Sequence, residues 1–92
     1  MYHILPYTYN KAKMLNVKVF PSKNPKYKID VYKPNLEYIT SIGATGYKDF
    51  PTYVIEKGIN YANNRKRLYK VRHEKDRLKK NSRGFYADNL LW

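Results

Sequence analysis

Ninety-two residues suffice for one small domain, or for one small folded unit with an extended arm, and are too few for two separate cores. Lys and Arg number 19 against 7 Asp and Glu, and the resulting charge of +12 draws the chain toward phosphate backbones, acidic proteins or anionic headgroups. The absence of cysteine excludes disulfides and thiolate metal sites, and with 11 Tyr against 3 Phe much of the apolar surface ends in a hydroxyl that needs water or a hydrogen bond.

In chain order, residues 1–15 mix Tyr2, Tyr7 and Tyr9 with Lys11 and Lys13 and keep neither a helical nor a strand period. They read as an N-terminal arm ordered by contacts rather than by its own structure. The first six residues lack the basic start and apolar stretch of a secretory signal, and no apolar run approaches the ~20 residues that span a bilayer. The expectation is an intracellular chain without a transmembrane segment, soluble or bound in an assembly.

Residues 16–92 read as a single small α+β domain. Residues 17–20 are β-rich, Pro21 to Pro25 mark a turn, and residues 27–33 alternate ring or branched side chains with charge, as a half-buried strand does. Pro34 and Asn35 break the run and residues 36–42 follow, so a small antiparallel β-meander of about three strands is expected. Gly43 and Gly46 supply turn chemistry, and residues 51–57 form one or two helical turns before Gly58. A long basic α-helix is then expected over about 59–80. Its packing stripe is Tyr61, Leu68, Val71 and Leu78, interrupted by Asn64 and Lys75. Gly84 reads as the left-handed stop, and a short apolar C-terminal segment follows.

Residues 65–83 hold ten Lys and Arg against Glu74 and Asp76, two thirds of the net charge. Like charges at helical spacing repel, so a free helix of this kind gains from a polyanion or an acidic surface. Candidate anion or nucleic-acid contacts are Arg65, Lys66, Arg67, Lys70, Arg72, Arg77, Lys79, Lys80 and Arg83. Tyr rings among lysines stack on unpaired bases, although Tyr27, Tyr32 and Tyr38 occupy strand positions where cross-strand packing explains them equally. Phe85, Leu90, Leu91 and Trp92 are candidate anchors for a partner chain, or else part of the core.

Catalytic signals are weak. His3 and His73 are the only imidazoles, the carboxylates show no metal-ligand spacing, and Gly43-Ala44-Thr45-Gly46 lacks the further glycine or Lys-Ser/Thr of a nucleotide loop. No enzyme, metal site or cofactor is expected. A metal-dependent nuclease would need His or acidic side chains gathered at one site.

Ile42-Gly43 followed by Tyr47-Lys48-Asp49-Phe50, the run Arg65-Lys66-Arg67-Leu68-Tyr69-Lys70-Val71-Arg72-His73, and Gly84-Phe85 with Leu90-Leu91-Trp92 together form a pattern. In this order the chain resembles a small basic protein family of nucleocytoplasmic large DNA viruses, over about two thirds of its length. The family's Thr-His-Lys-Asp after the aromatic turn is replaced here by Thr52-Tyr53-Val54-Ile55. The resemblance implies a viral source and a structural or DNA-associated role. The leading expectation is therefore a minor, capsid-associated structural protein that bridges other capsid or virion proteins. It would reside in the virion and, during assembly, in the host cytoplasm or viral factory. The alternative is a nonspecific protein that contacts DNA or RNA phosphates through the basic helix.

Overall fold

The computed structural model describes residues 2–92. Its elements run α1 (Pro6–Leu15), β1 (Lys18–Pro21), β2 (Tyr27–Tyr32), β3 (Tyr38–Ala44), α2 (Phe50–Lys57), α3 (Ile59–Arg72), α4 (Glu74–Leu78) and α5 (Arg83–Leu91). The three strands form one antiparallel sheet in the order β1-β2-β3, followed by helices, which is the α+β fold expected from the sequence. The chain divides into two compact units, Met1–Tyr47 and Lys48–Trp92.

In the first unit, most of the expected arm is helical. Pro6 sits in the opening turn of α1, where its missing N–H costs nothing, and Asn16 closes the helix in the left-handed conformation with its N–H directed at Ala12 and Lys13 carbonyls. The buried positions, Ile4, Thr8 and Ala12, lie four residues apart. Two of the three are not strongly apolar, so the sequence shows no stripe. Residue 1 lies outside the described residues.

Alternation along the strands sends Val19, Ile29, Val31 and Ile42 to one buried face, each contributing about 1.5–3 kcal/mol. The opposite face carries Phe20, Asp30, Tyr32 and Ser41. Strand β3 starts at Tyr38 rather than at residue 36, because Leu36 has positive φ and belongs to the turn. The register shifts between Val31 and Tyr32, so that Tyr32 faces Tyr38 while Val31 faces Thr40. This bulge puts Tyr38 on the same face as Asp30 and Tyr32.

In the second unit, Asp49 caps α2 by accepting from the Thr52 amide at 3.1 Å, and Pro51 occupies the first turn. Gly58, at φ 88°, ends α2 and starts α3; a side chain there would meet open space but a strained backbone. The expected single basic helix is interrupted. At His73, with φ −107° and ψ 22°, the chain leaves helical geometry, and α4 resumes for five residues. Arg77 Nε then donates to the Lys70 carbonyl at 3.1 Å, satisfying an acceptor in the last turn of α3.

Gly84 is not the stop. Asn81 takes the left-handed conformation (φ 66°), Ser82 caps α5 by accepting from the Phe85 amide at 3.2 Å, and Gly84 lies inside α5. A Cβ on Gly84 would come within 2.7 Å of Asp76 Cβ and 2.8 Å of Asp76 carbonyl atoms. Glycine is thus required because α4 and α5 approach through backbone at this point.

Candidate functional site

The second unit carries twelve Lys and Arg against five Asp and Glu. Its helices sort those cations into two sets, and the sorting inverts the amphipathic reading. In α3 the only fully buried side chain is Ala62, and the part-buried positions beside it are Arg65, Lys66, Tyr69 and Lys70. These lie three, four, seven and eight residues on from Ala62, one helical face. The expected packing stripe is exposed instead: Tyr61, Leu68 at 37%, Val71 at 70% and Leu78 at 65%.

Each inner cation has a partner within its own unit. The Arg65 guanidinium lies 5.5 Å from the centre of the Tyr53 ring, and Lys66 Nζ lies 4.7 Å from that of Phe50. Lys70 Nζ donates to Asp88 Oδ1 at 2.7 Å, and the Asp88 side chain is only 9% exposed. Arg65 Nε is buried without a hydrogen-bond partner among the described residues, a cost of about 1–3 kcal/mol that the ring contact offsets in part. Basic residues thus do the packing that the sequence assigns to leucines, because their long aliphatic stems cover rings while their charges reach a π-face or a carboxylate.

Around them lies an aromatic cluster. Trp92 stacks on Tyr69 with ring centres 4.3 Å apart and planes 8° apart, Tyr69 meets His73 at 4.4 Å, and Tyr53 lies between Tyr61 at 5.5 Å and Trp92 at 6.2 Å. Burial, and then the negative charges of Asp88 and Asp76, push the Tyr69 phenol up to about 12. Of the candidate anchors, Leu90 and Leu91 are buried within this chain, while Phe85 and Trp92 stay part-exposed. The leucines do not stand out for another chain to grip.

The outer cations differ. Arg72, Lys75, Lys79 and Lys80 are exposed and make no ion pair among the described residues. Arg67 is exposed and donates to Asn64 at 3.0 Å; Arg83 is exposed at the start of α5. His73 Nδ1 lies 3.8 Å from Asp76 Oδ2, too far for a hydrogen bond. Within this stretch the exposed cations alternate with exposed Leu68 and Val71 on α3 and Leu78 on α4, leaving both charge and apolar side chains to solvent.

Among the described residues no three His, Cys, Asp or Glu gather where they could hold a metal ion. No helix among them is long and apolar enough to cross a membrane. Comparison with protein-family models, curated proteins and solved structures finds no match for this chain.

Proposed function

We propose that the chain is a non-enzymatic, minor structural protein of a large DNA virus particle, bridging other virion proteins through its second unit. The observation that carries this reading is the exposure of Leu68, Val71 and Leu78 in the same stretch of chain as the exposed cations Arg72, Lys75, Lys79 and Lys80. Burial of exposed apolar side chains by a partner is worth about 1.5–3 kcal/mol each, and the neighbouring cations select an acidic rim on that partner. The resemblance of the sequence pattern to the viral family supports the setting, the virion and the host cytoplasm or viral factory during assembly.

A second reading rests on the same cations alone: nonspecific contact with nucleic-acid phosphates. With four or five phosphates engaged, the log-log salt slope on duplex DNA would be roughly −4. Two variants separate the readings. V71S/L78S removes the apolar part and R72Q/K75Q/K79Q/K80Q the charged part. Incubated with genome-free shells from disrupted particles, the wild type should remain bound at high salt and V71S/L78S should not. Equal retention of both, or full release by salt, overturns the bridging reading.

A further inference from the structure

The outer face of the sheet carries a second arrangement, in the first unit, that the bridging surface does not use. Phe20, Tyr32 and Tyr38, one from each strand, form a row with ring centres 5.5 Å and 5.7 Å apart. Phe20 is 45% and Tyr38 56% exposed, which is unusual for rings that are already in cross-strand contact.

The row is held from beneath by Asp30. Its Oδ1 accepts from the Ser22 and Ser41 hydroxyls, both at 2.6 Å, and its Oδ2 accepts from the Lys23 amide at 3.3 Å. Ser41 has one proton, committed to Asp30, so the contact of 2.7 Å between Ser41 Oγ and Tyr38 Oη has Tyr38 as the donor. One buried carboxylate therefore orients a ring on β3 and, through Ser22, the hairpin between β1 and β2. In that hairpin the Asn24 amide donates to Ser22 Oγ and the Lys26 amide to Asn24 Oδ1, which presents Lys23 and Lys26 to solvent. Lys18, also exposed, stands directly across from Tyr32.

Charge complements the rings. This unit has seven lysines and two acids, and both acids are occupied: Asp30 by the hydroxyl network and Glu37 by Lys33 at 3.0 Å. The exposed face thus combines π-surfaces with cations and shows no unpaired carboxylate.

The geometry points to this face as a binding site for single-stranded nucleic acid, with bases against Phe20, Tyr32 and Tyr38 and phosphates on Lys18, Lys23 and Lys26. Unpaired bases have accessible faces for such rings, whereas a duplex hides them; a sheet with aromatics on adjacent strands holds them in fixed relation, so little order is lost on binding. Asp30 and Ser41 act as positioning residues. Recognition is by stacking and charge, without reading of base edges.

The test is fluorescence anisotropy with labelled oligothymidylate, oligouridylate and a duplex of the same length. The wild type should bind at least one single strand more tightly than the duplex, the tighter one naming DNA or RNA as the source. F20L/Y38L keeps apolar bulk at exposed positions and should weaken single-strand binding roughly ten- to hundred-fold per ring. K18Q/K23Q/K26Q should lower the salt slope. R72Q/K75Q/K79Q/K80Q, in the second unit, should leave the preference for single strands intact, which separates this site from the helical surface. Ultraviolet crosslinking of the wild-type chain should label peptides containing Phe20 and Tyr38, a readout independent of how any variant folds. Unchanged affinity in F20L/Y38L, duplex binding as tight as single-strand binding, or crosslinks confined to α3 and α4 would overturn the proposal.

Discussion

Lys70, counted by sequence among the cations that meet a partner, places its Nζ 2.7 Å from Asp88 Oδ1 and joins α3 to α5. The pair is mostly withdrawn from water, with side-chain exposures of 31% and 9%. Removing one member leaves a charge in low dielectric, whereas removing both leaves none. K70M should therefore destabilise the chain by about 3 kcal/mol in urea denaturation, and K70M/D88L should recover a good part of that loss. An additive double mutant would show that the pair contributes nothing of its own.

Gly84 sits against the Asp76 backbone with no room for a side chain. Because the obstructing atoms are Asp76 Cβ and its carbonyl carbon and oxygen, none of them the far end of a flexible side chain, the neighbour gives way only if α4 and α5 separate. G84A should lower stability by about 1–3 kcal/mol, even though alanine is the better helix former at an unobstructed position. A melting temperature equal to or above that of the wild type would contradict the close approach.

Asp30 sets the acid limb of stability. Burial pushes its carboxyl up, but the Ser22 and Ser41 hydroxyls, the Lys23 amide and the Lys23 charge outweigh burial and hold it below the usual carboxylate value. A carboxyl with a depressed folded value contributes stability above its unfolded value, and that contribution is lost as pH falls through the folded one. D30N should cost about 2 kcal/mol at neutral pH and flatten the loss of stability in acid. Parallel acid limbs for D30N and wild type would contradict this assignment.

Tyr69 acts at the other end of the scale. Its phenol ionises at about 12 in the fold, because of burial first and the charges of Asp88 and Asp76 after it. The unfolded chain loses this proton near pH 10, so between pH 10 and about 12 the unfolded state binds fewer protons and stability falls, by up to about 1.4 kcal/mol per pH unit. Y69F keeps a ring for Trp92 to stack on and should lack this component. Unfolding followed by fluorescence of Trp92, the one tryptophan, measures the difference between the two proteins on either side of pH 10.

The strands were legible because their signal is simple. Alternation through residues 27–33 and the Pro34-Asn35 break specify β2 and its end, and the two-sided character of Asp30 and Tyr32 follows from the same period. Helix α1 was not legible, since Thr8 and Ala12 bury without announcing themselves as apolar. The helical unit misled in a more informative way. Leu68, Val71 and Leu78 fall at helical spacing, but Arg65, Lys66 and Lys70 take the inner face because Tyr53, Phe50 and Asp88 are there to receive their charges. Such pairings join residues far apart in sequence and leave no trace in local periodicity. The Asp30 network is hidden for the same reason: Ser22, Asp30 and Ser41 meet only through strand register.

The bridging role is tested most directly by mass-spectrometric quantification of the protein in purified virus particles, before and after gentle disruption that separates shells from genome-containing cores. Many copies should stay with the shells through nuclease and high salt. Release with the genome on nuclease or salt treatment would contradict bridging in favour of phosphate contact, and absence from the particles would contradict a structural role altogether.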